Sequence, residues 1–241
     1  MPLDNQILAN CEIVKVVANR GRRQIPFPEF NDNLNSKNMD SAYAEITSWP
    51  GYVPTPLISL DKLATHCGVR SVVYKDESQR LDMKSFKALG GAYAVANLVT
   101  KLGAMGVKPK SITVTTATDG NHGRSVAWGA QRLKLKCKIF VSQYVSDTRA
   151  DEIKKFGAEV IKVKGDYESS LKECQKQSKK NNWKIVQDVS TKNYKYVPQL
   201  TMAGYSIMIK EISKQTNQYI THIFLQAGVG GLAAGVVAGV A

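Results

Sequence analysis

From residue 71 onward, short apolar runs rich in β-branched residues alternate with longer amphipathic stretches. The short runs predict strands at 71–75, 111–115, 137–141, 159–163, 184–187 and 221–226. The stretches between them predict helices at 85–102, 121–133, 147–156, 167–181 and 197–214. Ser146 and Asp147 supply an N-cap signal and Gly157 a stop. Such alternation predicts an α/β fold with a mainly parallel sheet, joined by right-handed crossovers. Upstream the pattern is less regular. Residues 1–50 are rich in Asn, Asp, Ser and Pro and read as an extension packing on the body, with a helix at 40–48. The string Gly51-Tyr52-Val53-Pro54-Thr55-Pro56 is a turn-rich entry, and 57–66 reads as a short helix. A last helix opens near Gly231 and is still running at Ala241. A strand, glycine turn and helix normally feed a further strand, so the ending reads as that of a fragment or an incomplete gene product.

Composition narrows the classes. The 241 residues are 43% hydrophobic and 22% charged, ordinary for a globular chain with a sizeable core. No apolar run is long enough for a membrane helix, and no basic region precedes an apolar one at the N-terminus, so no membrane partner and a cytoplasmic setting are expected. Cys11, Cys67, Cys137 and Cys174 match neither metal nor redox spacing and read as incidental thiols. His66, His122 and His222 are dispersed and suggest no zinc site. The net charge of +13 comes mostly from lysines spread along the chain, with one compact cluster at Arg20, Arg22 and Arg23. Without interleaved aromatics it reads as a solvated surface rather than a nucleic-acid site.

Three constellations carry candidate chemistry. In Ser85-Phe86-Lys87-Ala88-Leu89-Gly90-Gly91, Lys87 falls in the first turn of a helix. The partial positive charge there disfavours a cation and favours the neutral amine that attacks a carbonyl. Taken alone this is a weak signal, since most lysines are simply exposed. In the run from Thr115 to Gly123, small residues allow close approach to a ligand; Asn121 offers a donor and an acceptor, and Asp119 a general base. A tight turn with a helix cap is the plainer alternative. In the third, Gly228, Val229, Gly230, Gly231 and Leu232 follow a strand and open a helix. Their spacing fails the dinucleotide fingerprint and lacks the P-loop lysine, so they read as a cradle for one phosphate.

In this order, a reactive lysine, a polar loop and a single-phosphate cradle resemble the fold-type II pyridoxal-phosphate (PLP) enzymes, the tryptophan synthase β-like group. The strings KDES, FKALGGAYA, TTATDGNHGRSVAWGAQ, VQD and LQAGVGGLAAG are most similar to the diaminopropionate ammonia-lyase family. Asp119 weighs most, because related dehydratases have a small residue before their Gly-Asn pair. The resemblance implies two lobes with mainly parallel sheets, divided as 1–85, 86–200 (the small lobe) and 201–241 (the return to the large lobe). It implies PLP as cofactor and α,β-elimination of 2,3-diaminopropionate to pyruvate and two ammonia, with a serine or threonine dehydratase-like lyase or an inactive remnant as alternatives. By similarity Lys87 carries the cofactor, Asn121 meets its phenolic oxygen, and 228–232 hold its phosphate. Asp119 faces the substrate as its β-ammonium partner or as a base, and Asp188 is a second acidic candidate, about as well explained as a turn residue. A small amino acid is the implied partner molecule and a homodimer the implied assembly. The family runs well beyond Ala241, so poor or absent catalysis by this chain alone is expected.

Overall fold

The computed structural model describes residues 34–240. Residues 1–33 of the predicted extension, with Cys11 and the arginine cluster, and Ala241 lie outside them. Its helices are α1 (Ser36–Thr47), α2 (Asp61–Cys67), α3 (Lys87–Ala104), α4 (Asn121–Arg132), α5 (Asp147–Lys154), α6 (Tyr167–Asn181), α7 (Tyr196–Tyr205), α8 (Ile207–Gln215) and α9 (Gly231–Val240). Strands are β1 (Leu57–Ser59), β2 (Val73–Lys75), β3 (Thr113–Ala117), β4 (Lys136–Ser142), β5 (Glu159–Val163) and β6 (Lys184–Ile185).

Strands β3 to β6 form a parallel sheet in the order β5-β4-β3-β6, and β1 pairs antiparallel with β2. The pleat sorts side chains between two cores. Val114, Cys137, Ile139 and Val141 join the larger core, shared with Val126 and Ala130 of α4. Ala117 and Phe140 point to the opposite face, against Cys174, Leu171 and Trp183. Helices α5 and α6 begin where a side chain caps them: Ser146 Oγ accepts from Arg149 N–H and Asp166 Oδ1 from Ser169 N–H. Helix α3 crosses α4 and α7 at close range because glycines sit at the crossings. A Cβ on Gly129 would fall 2.8 Å from Ala92 Cα, and one on Gly204 would fall 2.4 Å from the Leu89 carbonyl oxygen.

Three expectations are corrected. The predicted helix at 57–66 begins as β1, whose Leu57, Ile58 and Ser59 pair with Lys75, Tyr74 and Val73, and turns helical only at Asp61. The helix predicted at 197–214 is two helices, α7 and α8, divided at Ser206. The strand predicted at 221–226 does not form. No strand among the described residues pairs with it, and Ile223 and Phe224 stay exposed, Phe224 at 91%. A strand's stability comes from its ladder and its buried face, and this segment has neither here.

One buried ionic cluster ties the chain before α3 to α8. The Arg80 side chain is wholly buried and grips Glu211 with both terminal nitrogens, at 2.7 and 2.8 Å. It also holds Glu77 through Nε at 2.8 Å and Nη2 at 2.7 Å. Lys75 Nζ reaches Glu211 at 2.6 Å, and the Tyr52 hydroxyl donates to it at 2.7 Å. The formal charges of Lys75, Arg80, Glu77 and Glu211 cancel, which is what permits their burial.

Candidate active site

Lys87 is the first residue of α3, as its sequence context suggests, and its N–H donates to Ser85 Oγ at 3.2 Å. The loop before it is strained. Leu81, Asp82 and Lys84 all have left-handed backbones, at φ 49°, 56° and 53°. Non-glycine residues rarely adopt that region, and such strain persists where surrounding structure over-determines it. Here Arg80 is pinned by the ionic cluster and Met83 is buried, so the loop is held on both sides of the strained residues.

The Lys87 ammonium donates to Asp188 Oδ2 at 2.6 Å and lies 5.9 Å from the ring centroids of both Phe86 and Tyr205. Asp188 follows β6 and is held by its neighbours. Val186 N–H extends the sheet to Thr115, Gln187 N–H donates to the Tyr194 hydroxyl, and the Gln187 amide bonds Thr116, Ala117 and Tyr167. Burial works to raise the Asp188 pKa, but the His122 and Lys87 side chains beside it prevail and hold it below the usual carboxylate value. Burial lowers the pKa of His122 itself.

Lys87, Asp188, Phe86 and Tyr205 line a cavity of about 210 Å³ whose remaining wall is 226–232. Gly228 to Leu232 therefore line the same space as the amine, as the turn into α9 and its first two residues. Gly230 has φ +85°, and a Cβ at Gly228 or Gly230 would meet nothing within 4 Å, so the loop backbone stands open. The first N–H groups of a helix have no carbonyl partners within it and, with the helix dipole, suit an anion. Asp119 and Asn121 lie elsewhere, lining a second concavity of about 320 Å³ with Arg124, Arg149 and Glu152. Their loop folds onto Thr118, whose hydroxyl accepts from the N–H groups of Gly120 and Gly123. Gly123 is required there, since a Cβ would fall 2.3 Å from Thr118 Cγ2. Tyr167 feels the charge of both acidic positions. Burial, then the charges of Asp188, Glu168 and Asp119, push its phenol up to about 12.

Sequence reasoning missed His122 and Tyr205. The His122 Nε2 lies 2.8 Å from the Val186 carbonyl, so it is the nitrogen that carries the proton. Nδ1 is then a bare acceptor, without a hydrogen-bond partner, 3.7 Å from Asp188 Oδ2. Since its folded pKa is depressed, the unfolded chain binds the proton first as pH falls below about 6.5. Stability is therefore full above that value and is lost as pH falls, by up to about 1.4 kcal/mol per pH unit. Urea midpoints measured between pH 7 and 5 should fall, and His122→Gln should flatten the slope. An equal slope in the variant would remove His122 from this role. The signal available in sequence for Tyr205 was the Gly90-Gly91 pair inside a helix, which marks a close approach without naming the partner.

Among the described residues, no helix is long and apolar enough to cross a membrane, and no group of His, Cys, Asp and Glu is arranged to hold a metal ion. Comparison with known proteins matches residues 48–241 to the family described as pyridoxal-phosphate dependent enzyme. A diaminopropionate ammonia-lyase of Escherichia coli (strain K12) is 37% identical over 201 residues, which cover 78% of this chain and 50% of that relative. The chain thus spans about half the length of that curated relative. A threonine dehydratase of Haemophilus influenzae is 28% identical, over 76% of this chain and 32% of its own. Among solved structures, the E. coli diaminopropionate ammonia lyase in complex with an aminoacrylate-PLP azomethine reaction intermediate superposes with a TM-score of 0.83 at 34% identity, covering 92% of this chain and 59% of that one. With its parallel sheet, its amine and its glycine cradle facing one cavity, and a family match over most of its length, the chain belongs to the pyridoxal-phosphate dependent enzymes.

Proposed function

We propose that this protein is a PLP-dependent lyase that eliminates ammonia from 2,3-diaminopropionate, consuming one water and giving pyruvate and two ammonia. The observation that carries the reading is the shared cavity: an amine at Lys87 with a carboxylate on it, opposite an open helix N-terminus at Gly228–Leu232. The residues fit the cofactor, because its aldehyde needs an amine and its phosphate needs unpartnered N–H groups. When bound, PLP supplies an electron sink for negative charge at the substrate Cα. Asp188 Oδ2, 2.6 Å from Lys87 Nζ, pairs with the amine and orients it in the cavity. Gly228, Val229, Gly230, Gly231 and Leu232 hold the phosphate. By the resemblance, Asn121 would donate to the cofactor's phenolic oxygen, and Asp119 would bind the substrate's β-ammonium or remove a proton from the D-isomer, although both line the second concavity. We read 86–200 as the small lobe, with 1–85 and 201–241 in the large one. A small amino acid as partner, a cytoplasmic setting and a homodimer complete the reading.

A dehydratase of hydroxy amino acids is the competing reading, and the threonine dehydratase match makes the contrast worth testing. A substrate with a second amino group calls for a carboxylate such as Asp119; a hydroxyl does not. The test is to supply PLP-loaded protein with D- and L-2,3-diaminopropionate, serine and threonine, and to measure pyruvate and ammonia. Diaminopropionate should give two ammonia per pyruvate, with a kcat/KM above that for serine by at least about tenfold, or 1.4 kcal/mol. Turnover of serine or threonine with no response to diaminopropionate overturns the reading.

A further inference from the structure

Tyr205, the last residue of α7, is 1% exposed, and its hydroxyl has no hydrogen-bond partner. Other tyrosine hydroxyls packed into this protein are satisfied. Tyr52 bonds Glu211, Tyr167 bonds Gln187, Tyr194 bonds the Ile185 carbonyl and Tyr196 bonds Asn97. An unpaired buried hydroxyl costs the free energy of its lost hydration, so its presence calls for an explanation.

The fold makes room for this ring. A Cβ on Gly90 of α3 would fall 2.5 Å from Tyr205 Cε1 and 2.7 Å from Cζ. One on Gly235 of α9 would fall 2.9 Å from Tyr205 Cβ, and one on Gly231, in the phosphate cradle, 3.7 Å from Cε2. Phe86 packs edge-on at 5.2 Å, and the Lys87 ammonium lies over the ring. Tyr205 is thus slotted between the helix that bears the amine and the helix that opens the cradle, and it forms part of the cavity wall between them. A phenylalanine would fill the slot as well and would bury no orphaned donor. Burial, then the negative charge of Asp188, push the phenol well above its usual value, so it is an O–H donor across the physiological range. Such a donor is matched by an anionic oxygen, which PLP carries on its phosphate and its ring.

We propose that Tyr205 is a cofactor-positioning residue, whose hydroxyl finds its missing acceptor in an oxygen of PLP bound in the Lys87 cavity. This rests on the cofactor reading above. The test compares wild type with Tyr205→Phe in two measurements: PLP affinity by titration of the visible absorption band, and thermal unfolding without cofactor. The signs should be opposite. The variant should bind PLP about tenfold more weakly. Its cofactor-free form should melt about 2–4 °C higher, because the orphaned hydroxyl is gone. A tyrosine with only a structural role would not produce that pairing. Equal PLP affinity in wild type and variant overturns the proposal, as does a cofactor-free variant that melts lower, which would show the hydroxyl already satisfied by buried water. If wild type itself takes up no PLP, the cofactor reading fails and the proposal with it.

Discussion

Lys87→Ala protein mixed with excess PLP should show no visible band from attached cofactor, where wild type shows one. The variant has no amine in the cavity to react with the aldehyde. It also leaves Asp188 buried beside a neutral His122 with no cation to pair. Burial then raises the carboxyl's pKa, and the fold loses about 1–3 kcal/mol, less than for a fully buried pair because Lys87 is partly exposed. Lys87→Arg separates the two effects. It keeps a cation for Asp188 and so keeps most of the stability, yet a guanidinium does not take the amine's place, and the band should be missing again. An undiminished band in Lys87→Ala would mean that another lysine carries the cofactor.

Glu211→Ala should cost about 3–5 kcal/mol of stability, although Glu211 lines neither concavity of the site. Glu211 accepts both terminal nitrogens of Arg80, the Lys75 ammonium and the Tyr52 hydroxyl, and its side chain is 1% exposed. Removing it leaves two buried cations facing only Glu77. Urea unfolding followed by circular dichroism would read the change, and a loss below about 1 kcal/mol would show that water enters and re-solvates the cluster. The same residue adds acid sensitivity. Burial works to raise its pKa, but the Arg80 hydrogen bonds and charge outweigh it and hold the carboxyl low. Its stabilising contribution is therefore present above the unfolded value of about 4.3 and is lost as pH falls through the lower folded value.

The repetitive part of the fold was legible because it is locally encoded. Strand β5 and helix α6 fall where the pattern placed them, since alternation fixes their buried faces and Asp166 caps α6. What was not legible depends on partners distant in sequence. Arg80 and Glu211 are 131 residues apart, and nothing in either neighbourhood announces burial. The run at 221–226 has the composition of a strand, but composition supplies no neighbour to pair with. The site divides in the same way. Lys87 and the glycine loop were readable from local context, and the structure sets them on one cavity. Asp188 stood between a catalytic and a turn reading until its 2.6 Å bond to Lys87, across 101 residues, set it beside the amine. Asp119 and Asn121, adjacent to the lysine only by resemblance, line the neighbouring concavity.

The cavity is walled by residues as far apart in the chain as Phe86 and Leu232, and that sets a timetable for its birth. Lys87 leaves the ribosome about a hundred residues before its carboxylate partner and well before the glycine loop at 228–232. Contacts of such separation form late, after the sheet and its local helices have organised. On the proposed reading, capture of PLP at Lys87 is coupled to the closing of this cavity, and cofactor uptake by translating or refolding protein would report when that happens.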